Sequence, residues 1–206
     1  MEKMKQSDLR AQLTIARQQG TLIEVHNIPN DDYFNVGFVL AIDPAFCLLI
    51  SIDWDGKING LIAIRISSID YVATGTDYLM TISEKTKVAH QHNYFDIWHV
   101  QQFIDDHPEF TQGDLINNVL NDSFNHHLPV VIGTDKYKGA DDFEGIIADR
   151  DRIKINLHYF NESDLSSLWT YDILLAKIDY VQVRGTQAAT SKQILTDLFA
   201  DQWLHV

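Results

Sequence analysis

Basic side chains are scarce: 16 Lys and Arg stand against 29 Asp and Glu in 206 residues, a formal charge of −13. A surface of that sign repels phosphate backbones at long range and disfavours loose contact with nucleic acid or anionic membrane. Cysteine is nearly absent. Cys47 alone excludes an intrachain disulfide and fits a reducing compartment; within Phe46-Cys47-Leu48-Leu49-Ile50 it reads as a small buried hydrophobe. Asp, Lys or Arg breaks every apolar run before it reaches the length of a membrane span. The opening residues Met1-Glu2-Lys3-Met4-Lys5 lack the apolar stretch of a signal peptide. There is also no Gly-rich phosphate loop, no nucleophile elbow, no Cys-x-x-Cys and no nucleotide fingerprint. These absences lead us to expect a cytoplasmic protein with no membrane segment, no cofactor and no catalytic activity.

What the chain does hold is a repeat. Ile69-Asp70-Tyr71-Val72 recurs as Ile178-Asp179-Tyr180-Val181, and a Gly-Thr pair follows each, Gly75-Thr76 and Gly185-Thr186. Upstream, Asp31-Asp32 and Asp141-Asp142 each precede a glycine, Gly37 and Gly145, and these glycines lie about 32 and 33 positions before the shared isoleucine. Landmarks in one order at near-equal spacing point to a duplicated unit. Each copy reads as strands. Ile153, Ile155, Leu157 and Tyr159 alternate with Arg152, Lys154, Asn156 and His158, and Trp169, Tyr171, Ile173 and Leu175 continue the period of two. Residues 37–42, 46–52 and 58–66 are the matching runs of the first copy. Residues 22–25 and 130–132 open each set, and Asp55-Gly56 marks a hairpin. Residues 161–164 form a polar, turn-like connection at the corresponding place in the second copy.

Helical spacing appears at Leu9, Leu13 and Ala16, with Gly20 as a stop, and again between Tyr94 and Leu120, divided by Pro108. A terminal amphipathic helix carries Ile194, Leu195, Leu198 and Phe199, with Thr190-Ser191 as its opening. The expected architecture is mainly β: two five-stranded small barrels joined by a helical connector, with N- and C-terminal helices. Residues 1–85 form the first barrel with its helix, 86–127 an acidic, His-rich connector, and 128–206 the second barrel with its helix.

The stretch Gly37-Phe38-Val39-Leu40-Ala41-Ile42-Asp43, then Phe46-Cys47-Leu48-Leu49 and Ile69-Asp70-Tyr71-Val72, resembles the Sm-like and SH3-like small β-barrels. The likeness covers residues 8–80 and, more loosely, 128–186. It implies RNA contact through an Asp after the second strand, which Asp43 and Asp149 match. The companion Asn of that family is absent, with Cys47 in its place, and so is its Arg-Gly signature. It also implies assembly through strand pairing.

Candidate chemistry is thin. Tyr71 and Tyr180 could stack on a base or pack in a seam, and Trp54 beside Asp55-Gly56 could be a binding aromatic or a lid on the core. Six of the nine histidines fall between Val88 and Asp135, a stretch with no Lys or Arg. His90, His92 and Asp96 offer nitrogen and oxygen donors, but no spacing matches a zinc motif, and we assign no metal. We expect a non-catalytic binding or assembly module acting on a protein partner or on itself. The alternative is Sm-like RNA binding, which the net charge disfavours.

Overall fold

The computed structural model describes residues 4–28, 33–161, 166 and 169–203. Helix α1 (Gln6–Gln19) buries Leu9, Leu13 and Ala16 and stops at Gly20, whose left-handed backbone returns its N–H to the carbonyls of Ala16 and Arg17. Strands β1 (Leu22–His26), β2 (Asn35–Ile42), β3 (Phe46–Ile52), β4 (Ile58–Arg65) and β5 (Tyr71–Ala73) follow, with a 3₁₀ turn over Ile66–Ser68. Three helices come next, α2 (Asp77–Gln91), α3 (Val100–Asp106) and α4 (Leu115–His126). The second series is β6 (Pro129–Thr134), β7 (Phe143–Arg150), β8 (Lys154–Tyr159), β9 (Thr170–Leu174), a 3₁₀ turn at Leu175–Lys177, β10 (Ile178–Val183) and α5 (Thr186–Trp203).

All ten strands lie in one antiparallel sheet of order β5-β1-β2-β3-β4-β10-β6-β7-β8-β9. The two separate barrels expected from the sequence are not formed. Leu61–Ile64 of β4 pair with Tyr180–Val183 of β10, fusing both sets of strands into an open sheet. The physical cause is legible in β4. Leu61, Ile62, Ala63 and Ile64 are all buried, so both faces of this strand need cover and its second edge needs a partner. Nor is the middle of the chain a connector between separate bodies. Helices α2 to α4 pack their apolar residues on the sheet, and α4 touches β3, β4, β7 and β10 at once.

One strand order runs through the sheet twice, β5-β1-β2-β3-β4 and then β10-β6-β7-β8-β9. Local features recur with it. The register slips between Val39 and Ala41 in β2, and between Ile147 and Asp149 in β7. Gly37 and Gly145 lie so close to the facing strand that a Cβ would fall on the carbonyl oxygens of Ile50 and His158.

The core has two parts. Ile23, Val25, Val39, Cys47, Leu49, Ile62 and Ile64 pack under α1. The other face of the first half, with Phe46, Leu48, Leu61 and Ala63, merges with Ile132, Ile155, Leu157 and Val181 of the second under α2, α3 and α4. Among the described residues no helix is long and apolar enough to cross a membrane.

Candidate binding cleft

The residues singled out in the sequence do not converge. Asp43 closes the β2–β3 turn: its Oδ1 accepts the N–H groups of Ala45 and Phe46, both at 2.6 Å, and its Oδ2 accepts the N–H of Leu115 at 2.9 Å. The carboxylate therefore ties a turn to the first residue of α4. Its counterpart in the second half is Asp151, whose Oδ1 accepts Ile153 N–H and Lys154 N–H at 2.6 and 2.8 Å. Asp149, two residues earlier, is exposed on β7.

Trp54 is 68% exposed on the β3–β4 hairpin, where the Lys85 ammonium lies 5.0 Å from its ring centre. Tyr71 stacks on His26 at 4.0 Å. Tyr180, in the same place on β10, faces Gly133 instead, and its buried hydroxyl donates to Asp142 at 2.5 Å. Burial pushes the Asp142 carboxyl up to about 6, and burial with the nearby Asp142 charge pushes the Tyr180 phenol up as well. Burial takes the Cys47 thiol up to about 12, which leaves it inert. The Asp31-Asp32 pair and residues 162–164 of the second-copy turn lie outside the described residues. His90 stacks on Phe95 at 3.8 Å, and among the described residues no group of three His, Cys, Asp or Glu gathers around a common point.

The structure builds a different site. A cleft of about 370 Å³ opens between α3 and α5. Trp98 and Phe103 line it from the α3 side, Leu128 and Pro129 at the start of β6, and Arg184, Lys192, Gln193 and Thr196 are its polar members. Arg184 sits in the turn from β10 into α5, with φ of +55°. Counting from the shared Ile-Asp-Tyr-Val strand, its counterpart is Gly75, with φ of +66°. The repeated Gly-Thr pairs are thus one residue out of structural register. A non-glycine residue held left-handed costs on the order of 1–2 kcal/mol, and here the side chain offsets that strain. Arg184 Nε and Nη2 donate to the two oxygens of Asp122 at 2.9 and 2.8 Å, and its guanidinium carbon lies 3.5 Å from the Phe103 ring centre.

Neighbouring contacts lock the same turn. Asn59 Oδ1 accepts the N–H of Thr186, the first residue of α5, at 2.9 Å, and Gln182 Nε2 donates to Asn59 O at 3.2 Å. Gly60 has φ of +81°, and a Cβ there would collide with the backbone of Val183, Arg184 and Gly185. The β4–β10 joint that fuses the sheet therefore also fixes the cleft's arginine. Further along α5, Lys192 Nζ donates to the His126 carbonyl at the end of α4, 2.7 Å away. Burial and the Arg184 charge hold the Lys192 ammonium below its ordinary pKa, which places the two cations within each other's field.

Arg184 and Lys192 lie 86 or more positions from Trp98 and belong to no motif, so nothing local in the sequence marks the cleft. The available signal was an arginine at a repeat position that holds glycine in the other copy. The chain matches no family model, no curated protein and no solved structure. Those comparisons lend no support to the Sm-like resemblance.

Proposed function

We propose that the protein is a non-catalytic binding module for another polypeptide, with the α3–α5 cleft as its docking site. The observation that supports this most is the pairing of a 40% exposed Trp98 with a rigidly held arginine in one concave site. Tryptophan and arginine dominate binding hot spots because each offers a large contact surface together with a polar handle. Charge selects the occupant: Lys192, bonded among the described residues only to a neutral carbonyl, and the outer edge of an Arg184 whose inner edge is held by Asp122 line this cleft, so the fitting partner is a segment carrying negative charge beside apolar side chains. The proposal places the protein in the cytoplasm, a reading supported by its single cysteine.

Selection from a phage-displayed random peptide library tests it. The expected result is a consensus peptide whose affinity falls at least tenfold on Trp98→Ala and holds on Trp54→Ala. Failure to enrich any peptide, or binding indifferent to Trp98→Ala, would contradict the proposal. So would capture of oligonucleotides in its place.

A further inference from the structure

We infer that the cleft reads a carboxylate: the docked segment presents an acidic side chain or a chain end to Arg184 and Lys192, with an apolar neighbour laid against Trp98. This rests on the docking reading above and adds the chemical group that the site selects.

Three observations converge on it. The guanidinium of Arg184 is only partly used. Nε and Nη2 are taken by Asp122, and Nη1 has no partner among the described residues. The group is clamped between the Asp122 carboxylate and the Phe103 ring, so the free Nη1–H donors are held in place before any ligand arrives.

The second observation is the backbone. The first half turns from β5 into α2 through Gly75, which takes left-handed φ without strain. The second half holds Arg184 at that place. An ion pair with Asp122 does not by itself require an arginine, since a glycine facing an uncharged residue would close the same turn more cheaply.

Third, Lys192 commits one of its three donors, to His126 O, and holds its charge against burial and against Arg184. Asp122 offsets this only in part, from the far side of Arg184, and an anion placed beside Lys192 would relieve the rest. The remaining lining is mostly apolar, including Trp98, Leu128 and Pro129, with Gln193 and Thr196 as its other polar members. The apolar members suit the side chain next to a carboxylate.

The probe is 3-phenylpropionate, compared with 3-phenylpropionamide, which has the same apolar body and no charge. Both are titrated against the full chain while the indole N–H resonance of Trp98 is followed by NMR, assigned by its loss in Trp98→Phe. The acid is expected to shift this resonance saturably and to bind at least tenfold more tightly than the amide. Lys192→Gln should weaken the acid several-fold and leave the amide unchanged. Arg184→Gly combined with Asp122→Asn relaxes the turn and leaves no uncompensated buried charge. It should keep the thermal midpoint within a few degrees while abolishing the preference for acid. Equal binding of acid and amide, or no saturable shift with either, overturns the carboxylate assignment. A Trp98-dependent peptide from the library that tolerates Glu→Gln and C-terminal amidation would overturn it too, while leaving the docking reading standing.

Discussion

The two halves of the sheet share a strand order but differ in the face they turn away from their own helix. On β3 and β4 that face holds Phe46, Leu48, Leu61 and Ala63, all buried. At the matching positions of β8 and β9 it holds Lys154, Asn156, Thr170 and Asp172. Lys154 Nζ meets Asp172 Oδ2 at 2.6 Å, and Asn156 Nδ2 meets Asp172 Oδ1 at 2.9 Å. The helices differ in the same sense. Helices α1 and α4 end alike, at left-handed Gly20 and His127. Yet α4 buries a second row, Leu115, Val119 and Asp122, where α1 presents the exposed Asp8, Gln12 and Ile15. Thus the pair of surfaces that meet at the β4–β10 joint is buried on both sides and apolar but for Asp122, which Arg184 pairs, and the equivalent pair at the two ends of the sheet is open and mostly polar. Asp172 places a charge on the edge strand β9, which discourages further pairing there. What sets the halves apart is which one must cover the other.

The largest effect is expected where the joint is tightest. Gly60→Ala adds left-handed strain and a clash with immobile backbone, so it should destabilise by about 3 kcal/mol or more. That lowers the thermal midpoint by roughly 10 °C. It should also abolish Trp98-dependent binding, because the Arg184 turn rests on the same contact. An unaltered midpoint would show that the joint is dispensable.

Exchanging residues between the halves sharpens the comparison. Leu48→Asn places a buried amide in the apolar face and should cost about 3 kcal/mol by urea unfolding. The reverse change, Asn156→Leu, sits on an open face and should stay within about 0.5 kcal/mol. Equal effects would mean the two faces are not as different as their burial says.

The smallest effect concerns pH. The Asp142 carboxyl titrates near 6 in the folded chain, above its ordinary value of 3.8, because it is buried. The folded state therefore holds a proton that the unfolded state has released. Its contribution to stability is complete below about pH 4 and is lost as pH rises through 6. A side-chain amide in place of this carboxyl would keep both hydrogen bonds, accepting from Tyr180 O–H and Gly139 N–H, so Asp142→Asn should remove that slope from the stability profile between pH 4 and 6. An unchanged slope would place the titration elsewhere.

Much of the secondary structure is written locally. Alternation marks β8 and β9, the apolar spacing with its glycine stop marks α1, and the Asp55-Gly56 turn joins β3 to β4 as expected. The repeat placed β5 and β10 correctly. Other elements escaped local reading. Helix α2 lies across the boundary drawn between the first barrel and the connector, although Thr76 caps it by accepting the N–H of Leu79. Helix α5 begins at Thr186, four residues before the Thr190-Ser191 opening read from the sequence. The pairing of β4 with β10 joins residues more than 110 positions apart, and its one local sign is an apolar run, Leu61 to Ile64, with no polar face. The cleft is a consequence of that pairing. Its residues come from α3 and the segment entering it, from the start of β6, from the β10–α5 turn and from α5, so no single window of sequence contains it.

The β4–β10 joint should make one cooperative body of the two halves, and native-state hydrogen exchange at the amides of Ile62, Ile64, Tyr180 and Gln182 reads this. These amides are expected to exchange only through global unfolding, at the same free energy as β3 and β7. A second half that opens on its own, releasing β10 while β2 and β3 stay protected, would contradict it.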